Sequence, residues 1–313
     1  MTDRDGCDVR LTSEILGAEK PRDNVISALK GAPFLTHCGM VDTLCVRCWK
    51  RGTDTEGRMR WVVFNQKGGV GKSTIVCNLA AVNARQGRRT LVVDLDPQAN
   101  ASHYLLGSDA DEASPNLAQF FEQTLGFKLF RDGAKDFIHH TRFEDLHVMP
   151  ADLGLEELQT KLEAKYKIYK LRDALDQLDG YDAVFLDTPP AFNFFTLSAL
   201  IAGQRCLIPF DCDDFSRRAL YNLLENVEEV REDHNPELEV FGIVVNQFQA
   251  RARLPRRVVD ELIAEGLPVL EPYVGASVKV RESHEAAKPL PYMARSHNLT
   301  RQFEELHEVI TRA

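Results

Sequence analysis

The glycine-rich segment QKGGVGKST, residues 66–74, constrains the fold of this 313-residue chain more than any other feature. It follows the apolar, β-rich run WVVFN at 61–65 and precedes a helical pattern at 72–86. A strand, a glycine turn and a helix in this order form a phosphate cradle, because backbone N–H groups and the helix N-terminus present partial positive charge to phosphate oxygens. The segment therefore predicts a nucleotide-binding α/β domain.

The rest of the chain continues the alternation of strands and helices. Further β-rich runs are RTLVVDLD at 89–96, YDAVFLD at 181–187, QRCLIPF at 204–210 and EVFGIVVNQ at 239–247. Helical spacing of apolar residues lies between them: Leu155, Leu158, Leu162, Tyr166 and Tyr169 within 154–178, and Leu220, Leu223, Leu224 and Val227 within 217–232. Apolar strands alternating with amphipathic helices predict a mostly parallel, twisted sheet with helices on both faces.

The glycine-rich segment contains two lysines with different expected tasks. Gly68, Gly69 and Gly71 allow the backbone to curl and approach a phosphate closely. Lys72 is placed to reach the β- and γ-phosphates, and the Ser73 hydroxyl to ligate Mg²⁺. The second lysine, at 67, stands ahead of the turn and needs a separate function.

The segment KGGVGKST resembles the deviant Walker A motif of the ParA/MinD group of P-loop ATPases. The resemblance implies ATP and Mg²⁺ as cofactors. It also implies that Lys67 reaches across a homodimer interface to the nucleotide of the other subunit, while Lys72 serves its own. The nucleotide-binding candidates are Lys67, Gly68, Gly69, Val70, Gly71, Lys72, Ser73, Thr74 and Asn246.

Carboxylates at two strand ends complete the predicted site. VVDLDPQAN at 92–100 resembles the ParA subgroup, which implies that Asp96 orients the attacking water and that Asp94 lies near Mg²⁺ and Ser73. In AVFLDTPPAF, Asp187 ends an apolar strand and is suited to hold Mg²⁺ through water. The catalytic candidates are Lys67, Lys72 and Asp96, and the metal candidates are Ser73, Asp94 and Asp187.

Asn246 ends the run GIVVNQF, where relatives present a polar side chain to the adenine edge. A strand-end asparagine is also a common turn former. Its nucleotide contact is therefore implied by the resemblance alone.

Arginines and lysines in the second half of the chain are candidates for DNA contact. ParA-type dimers bind DNA without sequence preference through distributed basic residues, which would contact phosphates and read no bases. The candidates are Arg217, Arg218, Arg251, Arg253, Arg256, Arg257, Lys279 and Arg281. The alternative for any one arginine is a solvated helix face paired with residues such as Asp260 and Glu261.

The first 58 residues lack a strand–helix alternation. We expect an ATPase domain over 59–313, and residues 1–58 to be either a native N-terminal extension or sequence upstream of a start at Met59. Cys45 and Cys48 have the spacing used for zinc, with Cys38 nearby, although zinc sites usually pair two such knuckles. Reduced free thiols are the alternative.

Composition limits the remaining choices. The formal net charge of −9 requires any DNA contact to come from a local patch, and seven cysteines without disulfide-scaffold density favour a reducing cytoplasm. No apolar run approaches the roughly 18 residues of a membrane span, and the last helical pattern has an acidic polar face, so no membrane contact is expected.

The ParA resemblance implies a slow ATPase, stimulated by a ParB-like or other adaptor, that dimerises on ATP, binds the nucleoid and releases it after hydrolysis. DNA or another cargo would be segregated or positioned by this cycle. A metal- or iron–sulfur-handling carrier ATPase of the same superfamily is the alternative, with the early cysteines as its ligands.

Overall fold

A computed structural model describes residues 58–126, 133–212 and 216–312 of the chain. Eight strands of this part form one sheet. They are β1 (Met59–Val63), β2 (Thr90–Asp94), β3 (His139–His140), β4 (Leu146–Met149), β5 (Ala183–Asp187), β6 (Arg205–Asp211), β7 (Glu239–Asn246) and β8 (Val269–Leu270). Every neighbouring pair is parallel except β3 with β4. The predicted mostly parallel sheet is confirmed.

The strand order β3-β4-β2-β5-β1-β6-β7-β8 places β1 between β5 and β6. The next strand in sequence, β2, lies on one side of β1, and β6 lies on the other. The chain therefore changes direction across the sheet at β1. In open α/β sheets a ligand binds beyond the carboxyl ends of the strands at such a point, which is where the glycine-rich segment begins.

Helices cover both faces of the sheet. They are α1 (Lys72–Arg85), α2 (Asn100–Leu106), α3 (Leu117–Leu125), α4 (Gly154–Ala164), α5 (Lys170–Asp176), α6 (Phe194–Ala202), α7 (Ser216–Asp233), α8 (Arg253–Ala264), α9 (Val278–Glu285), α10 (Leu290–Met293) and α11 (Asn298–Arg312). Short 3₁₀ turns lie at Gly107–Ala110 and Ala134–Phe137. No helix in these three ranges is both long enough and apolar enough to cross a membrane.

Alternation along the strands divides the core into two layers. Trp61 and Val63 of β1 pack in the layer of α1, α2, α10 and α11, whereas Val62 packs in the layer of α3 to α8. Successive side chains of a strand point to opposite faces, so a strand buried on both sides must be apolar throughout. This requirement explains the uninterrupted apolar run WVV at the end of β1.

One predicted helix is wrong in its extent. The periodic stretch 154–178 is divided into α4 and α5, with the backbone of Tyr166 in the left-handed region at φ 51°. The Tyr166 side chain is 84% exposed, although helical spacing placed it on the buried face. The turn instead directs Tyr169 toward the residue that follows α7, His234, whose Nδ1 forms a 2.9 Å hydrogen bond with the Tyr169 hydroxyl. The spacing of apolar residues alone does not predict such a change in the direction of the chain.

Candidate nucleotide-binding site

The glycine-rich segment forms a tight loop between β1 and α1. Gly69 and Gly71 have φ values of 77° and 91°, in the left-handed region that residues with a Cβ rarely adopt. A Cβ on Gly71 would also lie 2.3 Å from Asn246 Nδ2, which is far inside contact distance. Glycine is therefore required at 71 for two independent reasons.

Side chains at the end of β7 hold this loop in place through hydrogen bonds. Asn246 Nδ2 donates a 2.7 Å hydrogen bond to the Val70 carbonyl, and Gln247 Nε2 donates a 2.8 Å bond to the Gly69 carbonyl. The predicted contact of Asn246 with adenine stays a prediction, and the structure adds a loop-positioning role. Gln247 was not singled out from the sequence, because nothing in its local context connects it with a loop 178 residues earlier.

The two lysines lie in different environments. Lys72 is only 7% exposed, and its Nζ donates a 3.2 Å hydrogen bond to the Lys67 carbonyl. Burial lowers the pKa of Lys72, and the nearby carboxylates Asp187 and Asp96 oppose that change. Lys67 instead directs its ammonium outward, where Nζ forms a 2.6 Å ion pair with Asp211 Oδ2 at the end of β6.

Asn65 sets the start of the loop. Its Nδ2 donates a 2.6 Å hydrogen bond to the Pro209 carbonyl of β6, and its Oδ1 accepts a 2.8 Å bond from the Lys67 amide. One side chain thus ties the backbone of Lys67 to the strand that carries Asp211. Neither Asn65 nor Asp211 was identified from the sequence.

Asp187 ends β5 beside the loop. Sheet register places it next to Val63 of β1 and Asp94 of β2. Its side chain is fully buried, and neither carboxylate oxygen has a hydrogen bond of good geometry in the described part of the chain, although the Ser73 hydroxyl lies close by. Burial, reinforced by Asp94, raises the pKa of Asp187 well above its ordinary value, while nearby Ser73 and Lys72 act against the rise.

A buried carboxylate without a donor fits a cation ligand, because burying an unpaired charge is otherwise costly. The Ser73 hydroxyl is close enough to Asp187 to influence its titration. Hydroxyl and carboxylate oxygens are the ligands that Mg²⁺ prefers. Ser73 and Asp187 therefore fit a magnesium ion, and their role as ligands stays a prediction.

Asp94 has partners within the chain. Its Oδ2 accepts hydrogen bonds from the Ser102 amide at 2.8 Å and the Ser102 hydroxyl at 2.7 Å, and its Oδ1 accepts one from the Asp96 amide at 3.1 Å. Burial raises the pKa of Asp94 to about 6 in spite of these bonds. The contacts favour a role in positioning Asp96 and the start of α2, and the predicted magnesium contact is untested.

Asp96 lies at the turn after β2 and is 6% exposed. Its Oδ1 accepts a 3.0 Å hydrogen bond from the Gln98 amide. Burial raises the pKa of the Asp96 carboxyl, and Lys72 is close enough to lower it. The carboxylate is therefore near the lysine expected to hold the phosphates, as a residue that orients water must be.

A cavity of about 590 Å³ adjoins the loop. Its lining includes Gly69, Gly71, Thr74, Asn246, Val280 and Arg281. A cleft of this size is ordinary for a small-molecule ligand. Its position continues from the phosphate loop toward α9, which leaves room for the remainder of a nucleotide.

The comparisons with known proteins agree with this geometry. Residues 60–240 match the family described as an AAA domain. The chain is 34% identical to the chromosome partitioning protein ParA of Myxococcus xanthus over 257 residues, which cover 81% of this chain and 88% of that protein. This chain belongs to the ParA family of ATPases.

One further relative and two solved structures are also similar to this chain. The chromosome-partitioning ATPase Soj of Thermus thermophilus is 34% identical, with 74% of this chain and 86% of Soj covered. Cobyrinic acid a,c-diamide synthase of Mycobacterium smegmatis, crystallised with ADP and magnesium, matches with a TM-score of 0.70 at 26% identity, covering 82% and 94% of the two chains. Apo McdA of Cyanothece shares the fold with a TM-score of 0.71 at 19% identity, covering 81% and 99%.

The DNA-binding candidates of this ParA family member lie on three helical regions. Arg251, Arg253, Arg256 and Arg257 are exposed at and before the start of α8. Its buried face consists of Val258, Val259 and Leu262. The four guanidinium groups thus lie on a solvent-facing surface, although Arg257 also approaches Glu261 at 3.7 Å.

The other candidates differ in their surroundings. Arg218 is exposed on α7, and Arg281 is exposed on α9. Lys279 forms a 2.6 Å ion pair with Glu282 on the same helix. Arg217 belongs to α7, but its side chain lies outside the described atoms, as do Cys38, Cys45 and Cys48 with the whole of residues 1–57.

Proposed function

We propose that this chain is a partition or positioning ATPase that dimerises on ATP, binds DNA without sequence preference and releases it after hydrolysis. The observation that carries the proposal is the contrast between the two lysines. Lys72 is buried inside its own phosphate site, whereas the Lys67 side chain is 38% exposed at the rim. A lysine so placed can approach a nucleotide held by a second copy of the chain.

Hydrolysis in this proposal depends on positioning and charge. The loop amides and Lys72 hold the phosphates of ATP, and Asp96 orients the attacking water. Ser73 and Asp187 would hold Mg²⁺, which would supply positive charge to the phosphate oxygens. Lys67 of each subunit adds a further cation in trans, so that nucleotide binding and dimerisation depend on each other.

DNA binding in this proposal comes from the exposed arginines before and on α8. Guanidinium groups that contact phosphates give affinity with a steep salt dependence and no base preference. Because these arginines form a local positive cluster, they can bind DNA although the chain as a whole has a net charge of −9. Association with the nucleoid, and release stimulated by a ParB-like or other adaptor, complete the proposed cycle.

The first test replaces the trans lysine. In Lys67→Ala, ATP binding by the monomer should stay within about twofold of wild type, because Lys72 and the loop are unchanged. Dimerisation with ATP and Mg²⁺ should be lost, and turnover should fall by at least about tenfold, which is a lower bound because a cation supplied in trans can contribute about 10³-fold or more. Lys161→Ala, at an exposed lysine of α4, is the matched control. Equal turnover in Lys67→Ala and wild type would contradict the proposed dimer.

The second test reverses charge on α8. The double variant Arg256→Glu/Arg257→Glu should bind DNA at least about tenfold more weakly and show a salt slope smaller by about two, while still dimerising with ATP. Arg295→Glu/Arg301→Glu makes the same charge change at two other exposed positions. Unchanged DNA affinity at low salt in the α8 variant would exclude this cluster.

A further inference from the structure

A chain of polar contacts connects the phosphate loop with α9. Thr74, the residue after the predicted magnesium ligand Ser73, shares a 2.9 Å hydrogen bond between its Oγ1 and His284 Nε2. The His284 ring stacks on Tyr104 of α2, with ring centroids 3.8 Å apart and planes 18° from parallel. One histidine thus joins the first turn of α1 to α2 and α9.

A second path runs beside the first. Asn78 of α1 donates to the Tyr104 hydroxyl at 3.3 Å and to the Thr74 carbonyl at 2.8 Å. Tyr104 in turn shares a 2.7 Å bond with Ser283, whose hydroxyl donates to the Val280 carbonyl of α9. Asn78, Tyr104 and Ser283 are almost completely buried, so water does not compete for these bonds.

The direction of the Thr74–His284 bond depends on what else the threonine hydroxyl contacts. A hydroxyl has one proton to donate and can accept at the same time. Burial lowers the pKa of His284, so its ring is neutral at pH 7 and Nε2 either accepts or donates. A nucleotide phosphate contains only acceptors. When Thr74 donates to it, His284 must donate its Nε2 proton to Thr74.

Helix α9 is placed to respond. Val280 and Arg281 line the cavity beside Gly69, Gly71 and Thr74. The same helix carries Lys279 and Arg281, which are candidates for DNA contact. A change in the hydrogen bond at its C-terminal turn, where His284 lies, therefore acts on a helix that touches the nucleotide cavity and presents basic side chains.

We propose that His284 is a positioning residue that couples occupation of the phosphate loop to the position of α9, and thereby to the DNA affinity of Lys279 and Arg281. The inference rests on the proposed DNA-binding function. Nucleotide binding fixes the donor direction of the His284–Thr74 bond, which is partly buried, and strengthens it, because linked hydrogen bonds shielded from water polarise one another. Coupling is reciprocal, so DNA should raise the affinity for nucleotide by the same factor.

The test is His284→Phe, which keeps a ring against Tyr104 and removes the hydrogen bond. We measure the dissociation constant for a short DNA duplex with ATP and Mg²⁺ and without nucleotide, in an Asp96→Ala background that blocks hydrolysis. The gain in affinity caused by ATP should fall about fivefold, as expected for about 1 kcal/mol from one hydrogen bond. DNA affinity without nucleotide should not change. His284→Gln, which restores a polar group, should recover most of the coupling.

Two controls separate coupling from packing. His147 forms a 2.8 Å hydrogen bond with the Tyr181 hydroxyl and packs on its ring, so His147→Phe makes the same chemical change at a site outside the loop. It should leave the ATP effect on DNA unchanged. In a Thr74→Val background, His284→Phe should have no further effect on ATP affinity, because both variants remove the same bond.

The outcomes distinguish the two proposals. Wild-type protein that shows no ATP-dependent DNA binding refutes the proposed function, and this inference with it. Wild-type protein that responds to ATP, with His284→Phe responding equally, refutes the role of His284 alone. An equal loss of coupling in His147→Phe also refutes it, because a general packing effect would then be the cause.

Discussion

The ion pair between Lys67 and Asp211 gives a quantitative prediction about dimerisation. In the monomer, Nζ of Lys67 lies 2.6 Å from Asp211 Oδ2, with side-chain exposures of 38% and 25%. If Lys67 must reach the nucleotide of a partner subunit, it has to give up this contact. Replacing Asp211 with Asn weakens the contact in the monomer, and the cost of releasing Lys67 falls.

The magnitude follows from the exposure of the pair. Partly exposed ion pairs contribute up to about 1 kcal/mol, because water screens the charges and ordering the side chains costs entropy. Each dimer requires two such exchanges, one from each subunit, which gives about 2 kcal/mol. The dissociation constant of the ATP-bound dimer should therefore fall about 30-fold in Asp211→Asn.

Sedimentation velocity over a concentration series measures this constant directly, with ATP and Mg²⁺ and with hydrolysis blocked by Asp96→Ala. The matched control is Asp173→Asn, which weakens in the same way the 2.9 Å ion pair between Asp173 and Lys170 of α5, whose side chains are 40% and 35% exposed. That variant should dimerise like wild type. An unchanged or weaker dimer in Asp211→Asn would refute the reasoning. The ion pair between Lys67 and Asp211 would then persist in the dimer or have no effect on dimerisation.

Two further predictions concern the loop and the core. Gly71→Ala should abolish detectable ATP binding, because at a φ of 91° the new Cβ would lie 2.3 Å from Asn246 Nδ2. Calorimetry with ATP would measure this, and Gly87→Ala, where φ is 75° and the space around a Cβ is open, controls for the left-handed backbone alone. Near-normal ATP binding in Gly71→Ala would contradict the prediction. Burial and Arg88 lower the pKa of His307 to about 4 in the folded protein. The folded state therefore favours the neutral ring, so the contribution of His307 to the free energy of unfolding is complete above pH 6.5 and is lost as the pH falls toward 4. The loss from this residue should reach about 3 kcal/mol, from 1.36 kcal/mol for each pKa unit. Urea unfolding of wild type and His307→Gln from pH 7 to 4.5 would measure it, and equal pH dependence in the two proteins would contradict the assignment.

The local elements of the fold could be predicted because short stretches of sequence encode them. The runs around β1, β2, β5, β6 and β7 are continuous and apolar, as strands buried on both faces must be. The two-residue strands β3 and β8 and the short β4 carry too little pattern to be recognised. The stretch 154–178 was predicted wrongly for a different reason: its spacing is helical on both sides of a turn, and the turn is shown only by the tertiary contact between Tyr169 and His234.

The sequence by itself determined the phosphate loop, the parallel sheet and the strand-end carboxylates, because the spacing of glycines, lysines and apolar residues fixes backbone conformation and strand ends locally. Only the tertiary structure decided which side chains support that loop. Lys67 meets Asp211 across 144 positions, Gln247 meets Gly69 across 178, and His284 meets Thr74 across 210. Contacts at these separations arise from the order in which strands assemble side by side, and the spacing of residues along the chain contains no record of that order.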